Sequence, residues 1–332
     1  MKKRRWLAAA LVSALLFVIL SYTAGWLLMP PRVNYGSTWS RYLKEPKNSI
    51  DVMYFGSSLT YCNIAPAVIW ADSGITSYLM AGPEQTVPFV HSYIKEACRT
   101  QNPKVVAIEI TGMFYKQYCS YSKVNAGYMP WGANRLEATF AAAEPELRAG
   151  LLFPLFDYHS RWREVTAANL SAQLNPTLDP FAGYTFLSKA TAQGNVTYRE
   201  YSAGTENYIR NWQYLKKIHA FCQKEGIQLV LFLTPTKGRI PDPALAALKL
   251  DIGALEGAAF VDFNEHMAQL NIDDSTDWYD FLHFNCRGAE KFSHFMAQYL
   301  TDTLGMTATE GEDETLWQSR ADTFAVRRSE VS

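Results

Sequence analysis

Two short stretches of this chain could do chemistry together. Gly56-Ser57-Ser58 closes an apolar run, and Asp280-Phe281-Leu282-His283 follows far downstream. A serine hydroxyl becomes a useful nucleophile when a base within hydrogen-bond reach takes its proton. His283 is a candidate for that base. Asp280, three residues before it, can hold the other ring nitrogen, fix the tautomer and stabilise the imidazolium. Ser58 is the candidate nucleophile. A serine that follows a glycine at a strand end is more often a turn or helix cap, and D-x-x-H recurs by chance. The two motifs together, one after the first strand and one before the last helix, are far more specific than either alone.

The elements that must position these residues can be read from apolar patterning. Strand-like runs are DVMYF, SYLMAG, KVVAIEI, IQLVLFLTP and AAFVDF. Helical spacing is expected from about Pro66, over residues 86–100, over 206–226 with Gly226 as its cap, over 244–256 and over 287–304. Strand and helix alternating at this spacing predict a parallel sheet covered on both faces. Ligands of such sheets bind at the carboxyl ends of the strands. Those ends are Gly56-Ser57-Ser58, Gly82, Thr111-Gly112 and Thr234-Pro235, and the segment 277–285 should join them. Residues 113–205, aromatic and Ala-rich, are expected to be a largely helical insertion with irregular loops. The tail 306–332 is polar, of mixed charge, and is expected to be disordered.

The N-terminus carries Lys2, Lys3, Arg4 and Arg5, then an uncharged run from Trp6 to Met29. At 1.5 Å per residue that run spans about 36 Å, enough to cross a bilayer. The basic cluster should remain cytoplasmic, placing the rest of the chain outside. A cleaved signal peptide is the competing reading. The run exceeds a usual h-region and lacks an A-x-A exit, which favours an uncleaved anchor over residues 1–29. Residues 30–48, rich in Pro, Gly, Ser and Lys, read as a linker to a domain over 49–305.

In the 332 residues, 31 basic and 32 acidic side chains leave a net charge of −1. No basic face of the kind nucleic acid requires is indicated. The five cysteines form no C-x-x-C pair, and no His/Asp/Cys cluster has metal-ligand spacing, so neither a zinc site nor another metal is expected. Asn169 and Asn195 lie in N-x-S/T sequons, which matter only in a glycosylating source. His159 with Arg161, His294 and Glu109 read first as structural polar residues, the competing readings being a substrate-facing His159 and a Glu109 paired with a base; Lys237 reads equally as a ligand for an anionic polymer and as a solvated loop lysine.

The block order resembles the SGNH/GDSL hydrolase superfamily over about residues 50–304. Gly56-Ser57-Ser58 matches its G-D-S block with Ser57 in place of the Asp. Gly82 matches its second-block glycine, and Asp280 and His283 match D-x-x-H. The G-[ST]-S form, D-x-x-H-x-N and an N-terminal anchor are most similar to the membrane-anchored DltD-like and alginate-acetylation branch. The resemblance implies an α/β three-layer sandwich with flavodoxin-like strand order. It implies a Ser58-His283-Asp280 triad, no cofactor, a cell-envelope glycan or teichoic-type polymer as substrate, and a membrane-bound O-acyltransferase partner. The superfamily's G-x-N-D asparagine is missing after KVVAIEI. Oxyanion donors are therefore expected from the backbone N–H groups of Ser58 and Gly82, with Gln85 or Thr111 side chains. Losing one such donor typically costs roughly 3 kcal/mol. That gap keeps open a second class of function, a non-catalytic glycan-binding or envelope-assembly protein.

Overall fold

A computed structural model describes residues 2–32, 36–308 and 313–331. Five parallel strands form the central sheet: β1 (Val52–Gly56), β2 (Ser77–Ala81), β3 (Val105–Glu109), β4 (Gln228–Leu233) and β5 (Ala259–Asp262). Their order is β2-β1-β3-β4-β5. Val52 pairs with Ser77 on one side and Val105 on the other, and Val105 pairs with Gln228. β1 and β3 sit where the order reverses, the switch point at which sheets of this kind have their ligand crevice, outside the carboxyl ends of the strands.

Both faces of β1 are covered, which is why it reads as an unbroken apolar run. Met53 and Phe55 enter one core with Phe89, Leu215 and Leu248, from the helices Val87–Ala97, Glu206–Glu225 and Asp242–Ile252. Val52 and Tyr54 enter the opposite core with Ile69 and Phe292, from the helices Pro66–Ser73 and Cys286–Gln298. The period-two alternation of strand side chains thus divides the interior into two layers.

A 27-residue helix, Lys2–Leu28, precedes the sheet and is long and apolar enough to cross a membrane. Between β3 and Glu206–Glu225 lie short helices, among them Ser122–Gly127, Ala133–Ala142 and Ala167–Leu174, followed by mostly irregular chain up to Thr205.

Two expectations are corrected. The segment after the first helix is no free linker. Ser37 N–H donates to Ala81 O (3.0 Å), Ala81 N–H donates to Ser37 Oγ (2.9 Å), and Trp39 and Tyr42 are buried in the core. Residues 33–35 of that segment lie outside the described residues. The tail is not structureless either. Asp313 caps a helix, Glu314–Ser329, by accepting from Leu316 N–H at 3.0 Å. Trp317, Arg320 and Phe324 fall on one face at i, i+3 and i+7, and all three are buried. The Arg320 guanidinium donates to Glu45 Oε1 (2.6 Å) and to Asp179 O (3.1 Å). Charged residues on the other faces mask this stripe in the composition. Residues 309–312 and 332 of the tail lie outside the described residues.

Candidate active site

β1 ends on Gly56 with φ +139, and the chain then turns straight into a short helix, Ser58–Tyr61. A Cβ on Gly56 would lie 2.5 Å from Thr60 Oγ1 and 3.0 Å from Glu109 Cβ. No side chain fits that turn. The two serines after it separate into different tasks. Ser57 caps the turn, accepting from Leu59 N–H (3.4 Å), and its Oγ also accepts from the Tyr115 hydroxyl (3.2 Å). Ser58 is left partly exposed at the crevice.

Ser58 Oγ lies 2.7 Å from His283 Nε2. His283 Nδ1 lies 3.0 Å from each carboxylate oxygen of Asp280. With the proton on Nδ1, the imidazole donates to Asp280 and its Nε2 accepts from the Ser58 hydroxyl. Asp280 Oδ1 also accepts from the backbone N–H groups of Leu282 (2.8 Å) and His283 (2.9 Å). Burial pushes the Asp280 carboxyl up, but its hydrogen bond to His283, the charge there and the two backbone donors outweigh it, so the acid is held below its usual range.

The loop that presents His283 is pinned on several sides. Tyr279 N–H donates to His283 O (2.9 Å), and Trp278 and Phe284 pair as an antiparallel bridge. Asn285 caps the Cys286–Gln298 helix through Arg287 N–H (3.0 Å) and Gly288 N–H (3.3 Å). Across the site, Phe284 N–H donates to Asn63 Oδ1 (2.8 Å), joining this loop to the segment that carries Ser58. Lys237 also serves the loop: its backbone N–H donates to Phe281 O and its ammonium pairs with Asp274 at 2.6 Å. It therefore is not a free cation awaiting a polymer.

The expected oxyanion donors fare unequally. Ser58 N–H has no protein acceptor among the described residues. Gly82 N–H donates to Gly56 O at 3.3 Å, so it is already engaged. The Thr111 hydroxyl donates to Glu109 Oε1 at 2.6 Å and does not serve as a free donor. Gln85 is buried against Gly82, and neither Nε2 nor Oε1 of its amide has a partner. It is the expected side-chain donor that remains unspent.

Three contributors escaped the sequence reading. Tyr115 fixes Ser57, Asn63 ties the two motif segments, and Asn125 donates to Pro83 O (2.9 Å) while its Oδ1 packs on the Cα of Gly82. Asn125 thus explains why position 82 carries no side chain. None of the three stands in a local pattern that announces it. Glu109, behind Gly56, is an internal hydrogen-bond partner of Thr111. Burial, opposed by hydrogen bonds from Thr111 and Thr234 and reinforced by Asp262, raises its carboxyl to about 7. Of the other polar candidates, His159 contacts Phe156 O, Arg161 binds Leu28 O and Glu164, and His294 pairs with Asp72. These contacts are structural.

No protein-family model matches the chain, and no curated protein matches it. The geometry of the site carries the functional reading.

Proposed function

We propose that this chain is a membrane-anchored, extracytoplasmic serine esterase or O-acyltransferase of the SGNH type. Its substrates would be acyl esters of a cell-envelope polysaccharide or teichoic-type polymer. The observation that supports this is the hydrogen-bonded line Ser58–His283–Asp280, in which Ser58 and His283 meet across 225 positions of sequence at the carboxyl edge of a parallel sheet. The basic cluster Lys2–Arg5 before the apolar helix supports the outward orientation.

In this mechanism Ser58 Oγ attacks the acyl carbonyl carbon while its proton passes to His283 Nε2. Asp280 stabilises the imidazolium. The oxyanion is met by Ser58 N–H and the Gln85 amide. Collapse breaks the bond to the alcohol, which leaves with the proton from His283, and the acyl group stays on Ser58. Water, or a polymer hydroxyl, then gives its proton to His283 and attacks the acyl-enzyme; the acyl–Oγ bond breaks and Ser58 Oγ takes that proton back from His283. Water makes the protein an esterase; a polymer hydroxyl makes it a transferase. A membrane-bound O-acyltransferase fits as the partner that loads the acyl group.

The engaged Gly82 N–H and Thr111 hydroxyl favour one alternative, a catalytically inactive SGNH-like glycan-binding or assembly protein. A fluorophosphonate probe separates the two. The enzyme reading expects covalent labelling of the folded protein that Ser58→Ala abolishes. Absence of labelling in folded wild-type protein, or labelling that survives Ser58→Ala, overturns it.

A further inference from the structure

We propose that the insertion between β3 and the Glu206–Glu225 helix is a second membrane-contacting element, seated in the lipid headgroup layer beside the first helix. The inference rests on that helix crossing a bilayer.

The outer end of the first helix is held by the insertion. Gly25 is buried against Pro154 and Leu155. Arg161 donates to Leu28 O (2.7 Å), Gln173 to Trp26 O (2.8 Å), and Tyr128 to Pro30 O (2.8 Å). The Tyr22 and Trp131 rings meet at 5.3 Å. The insertion also exposes large apolar side chains: Trp131, Phe140, Phe153, Phe156, Trp162 and Leu174. Phe156 is 70% exposed and Trp162 62%. Trp131 touches the helix itself. Phe153 and Phe156 flank Pro154-Leu155, Trp162 follows Arg161, and Leu174 follows Gln173. Five of these six side chains therefore stand on or directly beside the residues that hold the helix end, Phe140 being the exception.

Clustered apolar surface of this kind marks an interaction site. Its composition indicates the occupant. Aromatic residues at the end of a spanning helix prefer the membrane–water boundary. Three guanidinium groups lie over these rings: Arg163 over Trp162 at 4.6 Å, Arg148 over Phe140 at 5.5 Å and the buried Arg135 over Trp131 at 5.2 Å. An apolar body with a cation beside it suits acyl chains below and phosphates above. The helix end and these rings belong to one packed unit, so inserting the helix brings the rings to the same boundary.

The test is photocrosslinking of the full chain with benzoylphenylalanine at Phe156 or Trp162, both exposed enough to be replaced without disturbing packing. Leu16 in the first helix and Leu250 on the Asp242–Ile252 helix are the comparison positions. Irradiation is done in membranes of the producing cell and in phosphatidylcholine–phosphatidylglycerol vesicles. Phospholipid adducts, read by intact mass, are expected at 156 and 162 within about threefold of Leu16 and at least about tenfold above Leu250. Adducts at Leu16 but not at 156 or 162 overturn the second contact and leave the anchor standing. Lack of lipid adducts at Leu16 overturns the anchor, and the proposal with it. Crosslinks from 156 and 162 to a polypeptide in place of lipid also overturn it.

Discussion

Tyr115 donates its phenolic hydrogen to Ser57 Oγ across 3.2 Å, while Ser58 beside it is bound to His283. Adjacent hydroxyls therefore differ completely in surroundings. One is buried and held between a phenol and a helix N–H; the other faces the crevice and a base.

Ser57→Ala should accordingly leave the nucleophile intact. Fluorophosphonate labelling should persist, and stability should fall by about 1 kcal/mol, the usual cost of a lost N-cap. Thermal melts and probe labelling, run side by side, check this. Loss of labelling in a fully folded Ser57→Ala protein would contradict the division of tasks.

Asp280→Asn keeps an oxygen to accept from the Leu282 and His283 N–H groups, so the loop should stay folded. The imidazole, however, loses the carboxylate that sets its tautomer. Turnover of an activated ester should fall by about 10³ to 10⁴-fold with little change in circular dichroism. A loss below about tenfold would show that Asp280 only shapes the loop.

Glu109 sets a pH dependence of stability. Its carboxyl is raised to about 7 in the fold, mainly by burial, from an ordinary value of 4.5. Between those values the folded state holds the extra proton, so stability falls as pH rises. The neutral acid's advantage is complete below pH 4.5 and is lost above pH 7. Glu109→Gln should flatten this slope and raise stability at pH 8 by about 3 kcal/mol, with a far smaller effect near pH 4. Denaturation midpoints across that range measure it.

Arg320 and Glu45 form an ion pair in which both side chains are almost wholly buried. Burial pushes the Glu45 carboxyl up, and Arg320 opposes that push. Arg320→Met alone should cost about 3–5 kcal/mol by stranding the carboxylate. Adding Glu45→Leu should restore most of the loss, since an apolar pair of similar volume is often neutral. Chemical denaturation of the single and double variants tests both halves.

The sheet and the two candidate-site motifs were legible because each has a local signature. VVAI and LVLFL, the inner parts of two strands, are buried and carry no polar punctuation, and Gly56-Ser57-Ser58 must break the strand where it does. The helix at Glu314–Ser329 was not legible, because its buried stripe is three residues wide and one of them is an arginine. Trp39 and Tyr42 were hidden among Pro, Gly and Lys. The fate of the oxyanion donors was also beyond reach. Whether Gly82 N–H or the Thr111 hydroxyl is free depends on single acceptors, Gly56 O and Glu109 Oε1, that only tertiary structure brings near.

Gly36 N–H donates to Thr185 Oγ1 at 3.2 Å, and Ser37 is fastened to the end of β2, beside the Ser58 turn. Only seven residues run from Met29 to Gly36, and even fully stretched they reach about 25 Å. On the proposed reading the nucleophile works on a short leash. It cannot patrol a thick envelope, and its acyl donors and acceptors must come down to the lipid surface to meet it.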